Sequence, residues 1–272
     1  MRPCGSKRAK PERFLCTRSS CQVRHDRQSA DGQRLNILPS YKTPPLAVCS
    51  LPTAGFIIFL KKTGVTRDRF LSLSYFKLLW GGVDDNEIAR RVLSWIPDDF
   101  SGKLLDVPVG TAVFTKDKYR RMTKADITCL DYSQDMLEQA ESRFRGAGIT
   151  NIKTMQGDVV ALPFEDATFD KVLCMNGLHV FPDKTRAYAE ILRTLKPGGE
   201  LLACFYIAGE QKVADWLART VMTRMGWFTP PFDTVETLKR RLEPYYVIVD
   251  FHVEGAMVYF RAKKKTATME GL

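Results

Sequence analysis

Residues 104–112, LLDVPVGTA, could do chemistry that a plain packing segment could not. An apolar run closes on an acid, Asp106, and then turns through small residues around Gly110. A second apolar run, DITCL, closes on Asp131, 25 positions later. A third acid, Asp158, follows the run NIKTM. Two strands that each end on a carboxylate make a pocket for a nucleoside-like ligand, because an acid there accepts the ribose hydroxyls. The first acid separates the possible ligands. A dinucleotide places its pyrophosphate at this loop, where Asp106 would repel it. S-adenosylmethionine brings an ammonium and a sulfonium instead, and a carboxylate suits both.

Elements that alternate in type must hold these residues. Helical spacing marks Phe70–Trp80, ended by Gly81-Gly82, and Asp85–Ile96, ended by Pro97. Lys103–Val107 reads as a strand, followed by a helix near Val113–Met122. Ile127–Leu130 leads to a helix Gln134–Phe144, capped by Ser133 and stopped by Gly146 or Gly148. Asn151–Met155 and Asp170–Met175 are further strands, and Lys184–Leu195 is a helix closed by Pro197-Gly198-Gly199. Glu200–Tyr206 is the fifth strand. Helices over Gln211–Arg224 and Val235–Leu242 precede a closing strand pair, Tyr246–Val253 and Met257–Ala262. This alternation predicts an α/β fold: a doubly wound, mostly parallel seven-stranded sheet with an antiparallel C-terminal hairpin strand and helices on both faces.

Ligands of such sheets sit at the carboxyl ends of the strands. The residues falling there are Asp106, Pro108, Gly110 and Thr111, then Asp131 and Tyr132, then Asp158 and Val159, then Asn176 and His179, then Tyr206. Asp131 suits ribose, Asp158 the exocyclic amine of adenine, and the N–H groups beyond Gly110 a carboxylate. Asp and Asn also favour caps and turns, so a structural reading is open for each acid taken singly and much less so for the three together. His179 is a candidate general base or a substrate-lining residue.

The stretches LLDVPVGTA, CLDYSQDML, QGDVVALPFEDATFDKVLCMNGLHVFPD and AYAEILRTLKPGGELL, in this order and spacing, resemble class I S-adenosylmethionine-dependent methyltransferases. The similarity is greatest to the small-molecule branch that includes the ubiquinone/menaquinone C-methyltransferases, and it covers about residues 66–262. The resemblance implies S-adenosylmethionine as cofactor, a small-molecule methyl acceptor and no metal. It implies that Asp106 and Gly110 face the methionine part, Asp131 the ribose, and Asp158 and Val159 the adenine. Met136 is then an apolar adenine contact, and Asn176 and His179 flank the methyl group. Tyr75, Phe76, Trp80, Tyr206 and Trp227 become walls around the acceptor. The family's loop usually carries three glycines; here Pro108 and Ala112 replace the outer two.

Charge bounds the partners. Residues 1–65 hold 12 basic and 3 acidic residues, and residues 66–272 hold 29 and 28. The near-neutral body argues against nucleic acid as substrate, although a basic leader could tether an RNA methyltransferase. A non-catalytic cofactor-binding protein is the other alternative. Residues 1–65 read as a basic extension, with few apolar residues over 1–45, and residues 66–272 as the methyltransferase domain. Cys4, Cys16, Cys21 and His25 loosely follow a zinc-finger order, and the same leader also reads as an organellar transit peptide. Leu46–Leu60 falls short of the ~20 apolar residues of a membrane span. Buried-strand cysteines and the lack of a disulfide framework point to the cytoplasm.

Overall fold

The computed structural model describes residues 80–266. Seven strands form one sheet in the order β3-β2-β1-β4-β5-β7-β6. They are β1 (Lys103–Asp106), β2 (Asp126–Asp131), β3 (Ile152–Gln156), β4 (Phe169–Met175), β5 (Leu195–Tyr206), β6 (Tyr246–Glu254) and β7 (Met257–Lys264). The first five are parallel, and β7 runs antiparallel to both β5 and β6. A two-residue turn leaves no length for a crossover, so the last pair closes as the hairpin that the sequence predicts. The strand order reverses at β1, which lies between β2 and β4; Asp106 therefore ends its strand at the switch point of the sheet.

Both faces of the central strands are apolar. Leu104, Leu173 and Leu202 point to one core with Ile88, Val92, Leu137 and Tyr259. Leu105, Val172 and Leu201 point to the other with Ile191, Leu238 and Phe260. Helices cover both sides, which is why these strands read as continuous hydrophobic runs. The first core is covered by α1 (Asp85–Ser94), α2 (Lys116–Arg121), α3 (Gln134–Gly146) and α5 (Lys212–Leu217). The second is covered by α4 (Lys184–Thr194) and α6 (Val235–Leu242).

Four local expectations are corrected. The helix after β1 is six residues long, because the loop from Val107 to Thr115 is held by its own bonds, among them Ala112 N–H to the Val109 carbonyl at 3.1 Å. Ser133 occupies the N-cap of α3 but makes no side-chain cap bond; the Asp131 carboxylate takes the Ser133 N–H at 2.9 Å. Pro197-Gly198-Gly199 lies inside β5 as a bulge, since Phe169 pairs with Leu195 but Lys171 with Glu200. The helix expected over Gln211–Arg224 widens into a π-turn at Ala218–Met222. There the Thr223 hydroxyl bonds the Ala218 carbonyl, five residues back, at 2.7 Å. Gly148, at φ +70°, is the glycine that stops α3, while Gly146 remains helical.

The β6–β7 turn reaches back to the start of the described chain. Ala256 N–H donates to the Trp80 carbonyl at 3.1 Å, and Ile207 N–H donates to the Ala256 carbonyl at 2.8 Å. Gly255 permits this approach. It sits at φ +55°, and a Cβ there would fall 1.9 Å from the Trp80 oxygen. Gly255→Ala is therefore expected to lower unfolding stability by about 2–4 kcal/mol in urea titration, since it combines a left-handed backbone with overlap on a main-chain atom.

Candidate functional site

The site is built where β1, β2, β4 and β5 end. Asp131 organises the first half of it. One carboxylate oxygen accepts Gly110 N–H at 2.8 Å, and the other accepts Ser133 N–H at 2.9 Å. The acid thereby joins the β1 loop to the start of α3. Val109 N–H to the Leu130 carbonyl, at 3.0 Å, adds a second tie between the same strand ends. The loop closes with Pro108 and Ala112 in place of glycines. Gly110 takes φ +57°, and Ala112 takes φ +56°, a conformation that costs a non-glycine residue about 1 kcal/mol. Thr111 is buried, and its carbonyl accepts Arg143 Nη1 at 2.5 Å.

Asp106 is fully buried, and the Tyr119 hydroxyl donates to it at 2.8 Å. Burial pushes its carboxyl up to about 7; the tyrosine bond offsets part of that, and the nearby Asp131 charge adds to it. Two carboxylates share the mouth of the switch point, so a cation beside them relieves both desolvation and repulsion. These residues fit a ligand carrying an ammonium and a sulfonium.

The remaining cofactor candidates lie around this pair. Tyr132 is exposed on the rim, with its carbonyl held by Gln156 Nε2 at 3.0 Å. Met136 is buried in the first turn of α3. Asp158 is exposed and caps the short turn Val159–Ala161, accepting Val160 N–H at 3.1 Å; Val159 is buried beneath it. Asn176 stands at φ +54° after β4, with its N–H on the Cys204 carbonyl at 2.7 Å. Its Oδ1 is buried and has no hydrogen-bond partner. Gly177 packs the β4 loop against the β1 loop: a Cβ there would meet Pro108 Cδ at 2.4 Å.

An aromatic cluster forms the second half. The Trp80 ring stacks on Phe228 at 5.8 Å and lies 6.0 Å from Tyr206 and 6.5 Å from His179. Phe228 lies 4.2 Å from His179, and Phe232 closes on Tyr206 at 5.4 Å. The Tyr206 hydroxyl is spent on Asp215 at 2.6 Å, so this residue presents a wall rather than a free donor. Phe228 supplies an aromatic face from the segment after β5, and its neighbour Trp227 is half-buried against the same core. Tyr75 and Phe76, and the Cys4, Cys16, Cys21 and His25 pattern, lie outside the described residues. Among the described residues no cluster of His, Cys, Asp and Glu could hold a metal ion.

His179 is buried in this cluster, and its Nδ1 accepts Tyr206 N–H at 3.3 Å. Burial, aided by the Lys184 charge, pulls its imidazole down to about 3. It is neutral at pH 7 and too weak a base to collect a proton there, which corrects its candidacy as a general base.

A methyltransferase-domain family model matches residues 104–199. That span runs from β1 through the start of β5 and includes both carboxylates, their loops and Asn176. Over these residues the chain is similar to methyltransferase domains. It is 32% identical over 130 residues to the ubiquinone/menaquinone biosynthesis C-methyltransferase of Idiomarina loihiensis, covering 46% of this chain and 52% of that protein. It is 40% identical over 108 residues to the demethylmenaquinone methyltransferase of Thermobifida fusca, covering 39% and 45%. The chain thus spans about half the length of these relatives. The fold is also that of an S-adenosylmethionine-dependent methyltransferase from Methanosarcina mazei, with TM-score 0.52, 17% identity, and 65% and 97% of the two chains covered. It is shared with the [4+2]-cyclase SpnF, with TM-score 0.56, 20% identity, and 67% and 81% covered.

A neutral His179 has a signature in stability. An unfolded imidazole titrates near 6.5 and the folded one near 3, so the unfolded state binds more protons between these values. Stability from this residue is present above 6.5 and is lost as the pH falls. Between pH 7 and pH 5 the loss is about 2 kcal/mol. Urea titrations of wild type and His179→Gln at both pH values should show a smaller pH dependence in the variant; equal slopes would mean that His179 is not held neutral.

Proposed function

We propose that this chain transfers a methyl group from S-adenosylmethionine to a small organic acceptor and releases S-adenosylhomocysteine. The buried Asp106 beside Asp131, at the switch point of the sheet, carries this reading, because the pair favours a cationic ligand and disfavours a phosphate. The cofactor supplies a methyl group on a sulfonium, which leaves by in-line displacement. The chain's own contribution is alignment, and proximity with orientation can account for most of the acceleration. In this reading Asp106 and Gly110 face the methionine part, Asp131 takes the ribose hydroxyls, and Asp158, Val159 and Met136 surround the adenine. Asn176 lies near the methyl group, while Trp80, His179, Tyr206 and Phe228 wall the acceptor.

The functional domain in this reading is residues 66–272, preceded by a basic extension over 1–65. The near-neutral charge of the domain favours a small molecule over nucleic acid. Among the described residues no helix is long and apolar enough to cross a membrane.

Four measurements test these assignments. Titration calorimetry should give saturable binding of S-adenosylmethionine and none of NAD, and a screen of acceptors should detect S-adenosylhomocysteine. Asp131→Ala should weaken cofactor binding by 1.5–3 kcal/mol, about tenfold to a hundredfold; unchanged affinity in a folded variant would refute the ribose assignment. Because Asp106 titrates near 7, its ionised form is short of full population below that value, and a cation must draw it out. Affinity should therefore rise from pH 6 to pH 8, with proton release on binding at the lower pH, measured in buffers of different ionisation enthalpy. A chain beginning at Val65 should fold and bind the cofactor with similar affinity, which would fail if residues 46–60 belong to the domain.

A further inference from the structure

α2 is six residues long, yet one of its side chains reaches into the acidic half of the site. Tyr119 is completely buried. Its N–H donates to the Thr115 carbonyl at 2.9 Å, and its ring tilts against Phe144 of α3 at 6.3 Å. These contacts aim the hydroxyl at Asp106 Oδ2, to which it donates at 2.8 Å. A hydrogen bond to an ionised acceptor is roughly twice as strong as one between neutral groups.

The rest of the surroundings offer that carboxylate nothing. Among the described residues no donor reaches Oδ1, and no Lys or Arg pairs with either oxygen. Lys118, next to Tyr119 on α2, pairs with Asp98 instead. On β2, Asp131 adds a second negative charge, and each of its oxygens already holds a backbone N–H. Cys129 of β2 and Cys174 of β4 also feel Asp106; burial pushes both thiols up, so both stay protonated and neutral. Oδ1 is not closed off, unlike Asp85 Oδ1 and Asn176 Oδ1, which are sealed from solvent. One oxygen is thus tied to the core, and the other is left to a cation that the described residues do not supply.

We propose that Tyr119 is a positioning residue for cofactor recognition: its hydroxyl pins Asp106 Oδ2 from within the core, so that Oδ1 meets the cationic methionine end of S-adenosylmethionine as a carboxylate. This rests on the methyl-transfer reading above. Tyr119 has no exposed surface and touches no ligand; it acts through Asp106. Two effects follow from the one bond. It fixes the rotation of the carboxyl group, and it favours the ionised form over the protonated one. The phenol itself stays a donor throughout, because burial and the Asp106 charge push it well above its ordinary range. Without the hydroxyl, burial and the Asp131 charge act on Asp106 unopposed, and a protonated Asp106 gives a cation no charge to bind.

The test compares full-length wild type, Tyr119→Phe, Asp106→Asn and the double variant by calorimetry with S-adenosylmethionine from pH 6 to pH 8.5. In wild type the affinity should rise through about 7. Tyr119→Phe keeps the ring against Phe144, so a merely structural tyrosine leaves the profile where it is. The proposal moves the rise to higher pH, with affinity about three- to tenfold weaker at pH 7 and the gap closing toward pH 8.5. Asp106→Asn should flatten the profile, and adding Tyr119→Phe to it should cost less than about twofold more. An unmoved rise in Tyr119→Phe, or equal losses in the two backgrounds, would overturn the proposal. If Tyr119→Phe does not fold, 3-fluorotyrosine placed at position 119 takes over. It is the stronger donor and should move the rise to lower pH; an unmoved rise overturns the proposal equally. If wild type does not bind S-adenosylmethionine, the methyl-transfer reading has failed. The pair is then read without ligand, from the Asp106 carboxyl stretch in infrared difference spectra of wild type against Asp106→Asn. Its midpoint should lie near 7 in wild type and higher in Tyr119→Phe, which upholds the hold of Tyr119 on Asp106. Coincident midpoints would refute it.

Discussion

One carboxylate ties the site together. Asp131 accepts Gly110 N–H on one oxygen and Ser133 N–H on the other, so a single side chain sets the β1 loop, the end of β2 and the start of α3 in register. Charge-assisted bonds to backbone N–H groups are among the stronger hydrogen bonds available to a protein. They let this loop close with only one of the three glycines usual in the family. Gly110 is held by the acid rather than by its neighbours, and Ala112 takes a left-handed conformation within the same closed turn. The tie also fixes the distance between Asp131 and Asp106, and with it the repulsion that makes the pair receptive to a cation.

Around this anchor the two halves of the site differ in chemistry because they differ in origin. The half made by β1, β2 and α3 is acidic and built from backbone bonds. The half made by β4, β5 and the segment after β5 is aromatic and built by ring contacts among Trp80, His179, Tyr206, Phe228 and Phe232. Trp80 is anchored from behind by the hairpin turn at Gly255–Ala256, so the C-terminal strands position a wall of the site from across the sheet. The family match spans residues 104–199, which takes in the first half together with β4 and His179. Trp80, Asp85, Tyr206 and Phe228 all fall outside that match.

Local patterns were strong enough to read most elements. Apolar runs ending in Asp106 and Asp131, the 3.6-residue spacing in α3 and α4, and the short turn between β6 and β7 each have one physical solution, and the sheet follows from them. Failures came where side chains rewrote the backbone. The hydroxyl of Thr223 opens a π-turn, and a bulge absorbs Pro197-Gly198-Gly199 into β5. Neither leaves a periodic signal. The contact of Phe228 with His179 is likewise set by packing between distant segments.

By itself the sequence determined the α/β order, the acids at successive strand ends and the kind of ligand they suit, because strand alternation and carboxylate charge are local properties. Tertiary structure decided the protonation states. Asp106, Asp85 and His179 are ordinary titrating residues as sequence; folding desolvates all three and moves the acids up and the imidazole down. It also decided which acid of the Asp84-Asp85 pair faces solvent and which faces Cys204, since adjacent residues on a helix point about 100° apart and only the packing of α1 on β5 and β7 selects the inner one.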